Sequence, residues 1–307
     1  MSKVTAVISA FNEEKNIERC LKSLSFADEI VVVDNSSSDK TAEIAKKYTK
    51  NVFIQENDPN LIDLQKNFGF EKASSEWILS IDADEEVSIE LAQEIKKVLK
   101  NNKFENVVGY WIPRKNIIFG KFMEHTGWYP DPQLRLFKRG KGEFVKTHVH
   151  EPIKLDGESA YLNEHLIHHH YASVAEFMQK TINIYAPNEA QNYIDKGYQL
   201  SYFDAIRFPA NEFISRFFAR KGYLDGFHGL MLSILMAFYH FTIFCIMWEK
   251  QGFKEHNHES FLEETEKEFT KVGKDMLFWI SKEKLERIKN PVKRNLQRIS
   301  NKVHGLA

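Results

Sequence analysis

The sequence predicts an α/β protein: a doubly wound, mostly parallel sheet over roughly residues 1–200, followed by a helical, membrane-associating region over 201–307. Three observations lead there. Short apolar runs at Val4–Ser9, Ile30–Val33, Asn51–Gln55 and Trp77–Ile81 alternate with helical patterns in units of roughly thirty residues, which is how a parallel sheet with crossover helices reads. Polar or acidic clusters close several of those runs at their carboxyl ends, where open α/β sheets bind ligands. Beyond residue 200 the character changes, and many of the chain's 24 phenylalanines fall there.

Val4–Ser9 reads as a buried strand, and Ala10-Phe11-Asn12-Glu13-Glu14 as its turn into a helix with Ile17, Leu21 and Leu24 on one face. No Gly-x-Gly-x-x-Gly stands in that turn, which argues against a dinucleotide fingerprint. Asn12 suits either a helix cap or a ligand contact. The second strand ends in the polar loop Asp34–Asp39, ahead of a helix around Ile44, Ala45 and Tyr48. Asp34 and Asp39 suit turn and cap formation as well as ligand binding. A third strand and a helix over Leu61–Lys72 lead to Trp77–Ile81, whose apolar run predicts a strand buried on both faces. On that helix Lys66, with Gln65 and Asn67, either reaches a phosphate or lies on an exposed surface.

Asp82, Asp84, Glu85 and Glu86 follow the fourth strand at once. In an extended segment Asp82 and Asp84 point to the same side, a spacing that suits one hard cation bridging to a diphosphate. The alternative is that such acids cap the next helix and favour its positive end. Glu85 and Glu86 are the better candidates for capping, because Ser88 opens the amphipathic pattern Leu91, Ile95, Val98, Leu99.

Gly109–Arg114 predicts another strand, and Gly127-Trp128-Tyr129-Pro130-Asp131-Pro132-Gln133-Leu134-Arg135 a loop that two prolines keep out of helix. A stiff, aromatic-flanked carboxylate there suits a general base, since apolar neighbours can raise its pKa toward working pH; pairing with Arg135 is the plainer alternative for Asp131. The histidines between His148 and His170 fit neither a zinc finger nor a His-Glu-x-x-His helix. The segment Phe208–Lys221 mixes aromatics with cations as an interfacial helix does. Leu230–Trp248 is nearly all apolar and about 28 Å long as a helix, enough to span a bilayer; His240, Ser233 and Thr242 favour an interfacial or protein-packed hairpin instead. From Lys282 to Lys302 eight cations stand against two glutamates, suiting an anionic membrane surface or a solvated helix. The formal net charge of −1 gives no reason to expect nucleic acid as a partner. Two distant cysteines, Cys20 and Cys245, suit a reducing compartment, and a start without an apolar leader suits the cytoplasm.

Val7–Glu14, Val31–Thr41 and Leu79–Glu85 resemble, in order and spacing, the family 2 glycosyltransferases of the GT-A fold, in particular the bacterial lipopolysaccharide core glucosyltransferases. The three motifs cover roughly residues 1–110, with weaker likenesses beyond. The resemblance implies that Phe11, Asn12, Glu13 and Asp34 contact the nucleoside of a nucleotide sugar, UDP-glucose or similar. It implies that Asp82 and Asp84 serve the ribose and a Mg²⁺ or Mn²⁺ on the diphosphate. The chain departs from the family at Asn35, where many members carry a second acid. Asp131 with Arg135-Leu136 resembles the family's acceptor-side motif, with the acid as base and the arginine supporting the site. Val149-His150-Glu151-Pro152 resembles an acceptor-lining element, and Ile167–Tyr171 a segment whose imidazole, here His170, completes the metal shell or neutralises diphosphate. The implied activity is inverting hexosyl transfer to a hydroxyl of a lipid-anchored glycan at the cytoplasmic face of the inner membrane. A polyprenyl phosphate or protein acceptor, or a non-catalytic membrane-binding protein of the same fold, are the alternatives.

Overall fold

A computed structural model of the chain describes residues 2–58, 63–100, 106–145, 153–255 and 259–303. It divides into two compact units, Met1–Phe122 with Trp128–Ala172, and Met123–Gly127 with Ser173–Ala307. The division falls before residue 200, because the helices that follow residue 172 group with the C-terminal helices.

In the first unit the strands are β1 Val4–Ala10, β2 Glu29–Asp34, β3 Asn51–Ile54, β4 Trp77–Asp82, β5 Glu85–Val87, β6 Val107–Ile112, β7 Arg114–Ile118, β8 Lys121–Phe122, β9 Gln133–Lys138, β10 Gly142–Glu143, β11 Lys154–Leu155, β12 Glu158–Tyr161 and β13 Leu166–Tyr171. Helices α1 Ile17–Ser23, α2 Thr41–Ala45, α3 Lys66–Lys72 and α4 Ile89–Lys100 connect or cover them. Seven strands form the main sheet in the order β12-β6-β9-β4-β1-β2-β3, parallel except where β9 lies between β4 and β6. The doubly wound, mostly parallel expectation is met.

The central strands sort their side chains by parity, as a pleated ribbon must. Ala6, Ile8 and Ala10 of β1, with Leu79 and Ile81 of β4, join Leu21 of α1 and Leu91 and Ile95 of α4 in one core. Val7, Ile78 and Val33 point the other way, into a core closed by Phe70, Phe137 and Phe144. Gly69 lets α3 lie close to this face; a Cβ there would stand 2.5 Å from Val7 Cγ1. Parallel register sets Ala10 beside Asp34 and Ser9 beside Asp82, so the ends of β1, β2 and β4 bring the three motifs to one sheet edge.

A second, four-stranded sheet in the order β5-β13-β7-β8 corrects two expectations. Glu85 and Glu86 do not cap a helix but form β5, because His168 and Ile167 of β13 pair with them. The capping role falls to Ser88, whose Oγ accepts from Leu91 N at 3.1 Å. The strand expected over Gly109–Arg114 is two, broken at Pro113, which has no N–H for a ladder. The predicted helix at 61–72 begins at Lys66, and positions 59–62 lie outside the described residues.

The second unit holds α5 Val174–Lys180, α6 Ala186–Asp195, α7 Asp204–Ile214, α8 Phe227–Lys250, α9 Phe261–Glu286 and α10 Pro291–Val303. Helix α8 buries Leu232, Ser233, Met236, Ile243 and Met247, part of this against Ala186 and Ala190 of α6. Its other face leaves Phe227, Ile234, Phe238 and Phe241 exposed at 72%, 45%, 36% and 41%. His240, the ionisable residue inside the apolar run, places Nε2 3.6 Å from Glu212 Oε1 of α7. By length and composition α8 could cross a membrane. The five residues Met123–Gly127 are held by bonds inside this unit: Arg216 Nη1 donates to Thr126 O at 2.8 Å, and His125 N to Asp225 Oδ2 at 2.9 Å.

Candidate active site

The loops after β1 and β2 are laced to each other. Asn12 N donates to Ser37 Oγ at 2.8 Å, Asn12 Oδ1 accepts from Ser38 N at 2.8 Å, and Glu13 N donates to Thr41 Oγ1 at 2.7 Å. Asn12 adopts φ +56°, a left-handed conformation that asparagine tolerates, so it braces two loops rather than capping α1. Asp39 is spent on the turn: it accepts from Thr41 N at 2.9 Å and Glu14 N at 3.0 Å. Asn35 is engaged too, its amide donating to Ser9 Oγ at 2.9 Å and accepting from Gln55 Nε2 at 2.6 Å. Asp34 differs. Its Oδ2 accepts from Ser37 N at 3.1 Å, while its buried Oδ1 has no hydrogen-bond partner among the described residues. An uncompensated buried carboxylate oxygen is costly unless a ligand donor meets it. Phe11, 46% exposed, stands at the same edge.

The two aspartates at the end of β4 and just beyond it have separate partners. Asp82 Oδ1 pairs with Lys66 Nζ at 2.7 Å, and its Oδ2 with Arg135 Nη2. Burial pushes the Asp82 carboxyl up, but the charges of Arg135 and Lys66 outweigh it and hold the group well below the usual carboxylate range. Burial likewise works against Lys66 and Arg135, and in each the carboxylates win and raise the group. Asp84 sits in the turn beyond the strand, with Oδ2 3.4 Å from His168 Nε2. Here burial is again the largest influence, yet the His168 bond and charge draw Asp84 below its ordinary value. His170 Nδ1 lies 3.3 Å from His168 Nε2, since alternate residues of β13 share a face. Among the described residues no group of three or more His, Cys, Asp or Glu side chains is disposed to hold a metal ion.

Asp131, at φ +40°, projects its carboxylate among polar partners, not the apolar ones its aromatic neighbours suggested. Arg114 Nε and Nη2 donate to its Oδ2 at 3.0 and 2.6 Å, and Asn116 Nδ2 to the same oxygen at 3.1 Å. Among the described residues its Oδ1 accepts from Gln133 Nε2 alone, at 3.2 Å. Arg135, the alternative partner for Asp131, instead bonds Asp82 and Glu85. Tyr129 braces the loop, its hydroxyl 2.8 Å from His165 Nε2. His165 is held below its ordinary value, first by burial and then by the charge of Lys115.

Glu85, Arg114 and Asn116, which the local sequence pattern does not mark for the site, tie it together. Glu85 is wholly buried; its Oε1 accepts from Arg114 Nη1 at 3.1 Å and Arg135 Nη2 at 2.8 Å, and its Oε2 from Asp82 N at 3.0 Å. Asn116, also wholly buried, accepts on Oδ1 from His168 Nδ1 at 2.6 Å while its amide nitrogen serves Asp131 and Trp128 O. With the amide set this way His168 Nδ1 carries a proton, and Nε2 faces Asp84 and His170. Of the predicted site residues, Lys66, Asp82, Asp84, Asp131, Arg135 and His170 belong to this connected constellation, and Phe11, Asn12, Glu13 and Asp34 to the laced loops. His148 and Val149–Pro152 lie outside the described residues.

Known proteins resemble this chain over most of its length. Residues 5–162 match glycosyl transferase family 2. An uncharacterized glycosyltransferase of Rickettsia typhi is 28% identical over 251 residues, covering 78% of this chain and 85% of that protein. A lipopolysaccharide core biosynthesis glycosyltransferase of Rhizobium meliloti is 25% identical over 256 residues, covering 82% and 94%. Among solved structures, S. aureus TarS 1–349 is similar at 14% identity and a TM-score of 0.39, covering 83% of this chain and 93% of that one. The matched span takes in β1 to β12, and with it the first two loops, the acidic pair and Asp131: the chain belongs to glycosyl transferase family 2.

Proposed function

We propose that the protein is an inverting hexosyltransferase that moves a sugar from a nucleotide sugar, UDP-glucose or a close relative, to a hydroxyl of a membrane-anchored glycan such as lipopolysaccharide core. One observation carries the reading: Asp131, a carboxylate whose Oδ1 accepts a single hydrogen bond among the described residues, is joined through Asn116 and His168 to Asp84, so a base and a candidate diphosphate site form one constellation. The unpartnered Asp34 Oδ1, the exposed Phe11 ring and the braced Asn12 and Glu13 would receive the nucleoside. Lys66 and Arg135 are the cations that would meet the diphosphate, exchanging their contact with Asp82 for phosphate oxygens.

Mg²⁺ and Mn²⁺ need only one or two protein carboxylates beside substrate phosphates, and Asp84, with His170 near, supplies that donor chemistry. Asp82, with both oxygens already in ion pairs, would reach the metal only by giving up Lys66 or Arg135. A bound ion would neutralise charge on the leaving diphosphate. Asp131 Oδ1 takes the proton from the acceptor hydroxyl; the freed oxygen pair attacks the anomeric carbon as the bond to the diphosphate breaks on the opposite side, which inverts the centre.

Support for a membrane-anchored acceptor comes from the similarity to the Rhizobium meliloti enzyme and from the helical unit. Besides the bare face of α8, Val292, Leu296 and Ile299 form an exposed apolar stripe on α10, interleaved with Lys293, Arg294 and Arg298. That is the pattern of a helix lying in an anionic lipid interface, which we assign to the cytoplasmic face of the inner membrane.

The test is a panel of UDP-hexoses with Mn²⁺ or Mg²⁺, following binding and UDP release in the wild type and in Asp84→Ala. Metal-dependent turnover of one donor, reduced about tenfold or more in the variant, is the expected result. No binding of any donor by folded protein with lipid present overturns the enzyme reading. A polyprenyl phosphate acceptor would need no base, so full activity in Asp131→Asn would favour it.

A further inference from the structure

Arg114 presents a problem for a base at Asp131. A guanidinium forked onto one carboxylate stabilises its charged form and so weakens it as a proton acceptor. The structure divides that cation. While Nε and Nη2 of Arg114 face Asp131, its Nη1 faces Glu85, a carboxylate with no solvent exposure. Arg135 in turn divides itself between Glu85 and Asp82, and Lys66 between Asp82 and Asp63. Three cations, Lys66, Arg135 and Arg114, thus alternate with four carboxylates, Asp63, Asp82, Glu85 and Asp131, in one chain. Remove the negative charge of Glu85 and, among the described residues, Arg114 keeps Asp131 as its one carboxylate partner and Arg135 keeps Asp82.

We propose that Glu85 is a positioning residue for the reaction: by sharing Arg114 with Asp131 it both fixes the catalytic loop and keeps the Asp131 carboxylate able to accept a proton. This rests on the reading of Asp131 as the base. The groups facing Asp131 from the elements around it are Arg114 and Asn116 of β7 and Gln133 of β9, with Glu85 of β5 behind Arg114 and His168 of β13 behind Asn116. Glu85 is the nearest of these with a negative charge, so its effect on Asp131 runs through the shared guanidinium. The bond from Asp82 N to Glu85 Oε2 holds the turn of the acidic pair in the same frame, which is why one carboxylate serves both halves of the site.

The experiment compares the full-length wild type with Glu85→Gln, Arg114→Gln and Asp131→Asn, using the UDP-hexose that the panel turns over. UDP affinity, thermal midpoint and the pH profile of UDP release are measured for each. Glu85→Gln keeps the shape and removes the charge: kcat falls about tenfold, the acid limb of kcat/KM moves to lower pH by about one unit, and UDP affinity changes less than about threefold. Arg114→Gln moves the same limb to higher pH, the opposite sign. A merely structural role would lower kcat or the thermal midpoint in both variants with the limb unmoved, and that result overturns the proposal. If Glu85→Gln does not fold, Glu85→Asp, which keeps the charge but shortens its reach to Arg114, decides: the limb again moves to lower pH, and an unmoved limb overturns the proposal. If Asp131→Asn retains full activity, the base reading fails instead, which separates the two failures.

Discussion

The two units treat apolar side chains in opposite ways. In the α/β unit, Ile8, Leu79, Ile81, Leu91 and Ile95 are wholly or almost wholly buried, and the ends of β1, β2 and β4 bring the laced loops and the acidic pair to one edge of the sheet. In the helical unit, Phe227, Phe241, Phe269, Leu277, Val292 and Leu296 stay 41–72% exposed on long helices that bury only part of their surface. The first unit gathers charged side chains on a rigid apolar frame, as a reaction site requires; the second offers an apolar, partly basic surface that suits a lipid interface.

That contrast can be broken at its catalytic end first. Asp131→Asn should leave the fold and UDP binding intact and lower kcat by roughly 10²–10⁴-fold, read as initial UDP release at saturating donor. Truncation then separates the two kinds of apolar residue. Leu79→Ala should cost about 2–5 kcal/mol in a denaturant titration of the full chain, because a cavity opens in the sheet core. Phe241→Ala should change stability by less than about 0.5 kcal/mol while weakening binding to anionic vesicles about tenfold. Charge gives a smaller effect: Arg298→Gln should weaken association with phosphatidylglycerol vesicles about fivefold at low salt, and the difference should fade as salt is raised.

The smallest effect concerns acid. Asp82 and Asp84 titrate below the ordinary carboxylate value in the folded chain. A depressed folded value means stability that is fully present above the unfolded value, about pH 4, and is lost as pH falls through the folded one. Denaturant midpoints should therefore hold from about pH 7 to about pH 4.5 and drop below it, and Asp82→Asn should flatten that drop.

Much of this fold is legible because it is written locally. The runs at Val4, Ile30 and Trp77 are apolar enough to read as buried strands, and their closing residues Asp34 and Asp82 stand where the sheet edge is. What is not legible depends on pairing across distance. Glu85 reads as a helix cap because acids before an amphipathic pattern usually are; only its pairing with His168 turns it into a strand residue with a buried carboxylate. Arg114 meets Asp131 seventeen positions away, and Asn116 meets His168 fifty-two away, so nothing in the local pattern announces either contact. That His168 and His170 share a face follows from their spacing once Leu166–Tyr171 is a strand, but a run holding three histidines lacks the apolar content that marks one. Arg135 joins the constellation through Asp82 and Glu85 rather than through Asp131, the acid nearer to it in sequence.

The most direct test of the central claim is the anomer first formed. With the donor that turns over, proton NMR taken within the first minutes of reaction shows whether an α-linked sugar nucleotide yields a β product or an α one. A β product is the expected result of a single displacement assisted by one base at Asp131. An α product, formed before mutarotation can act, would contradict that displacement and with it the role assigned to Asp131.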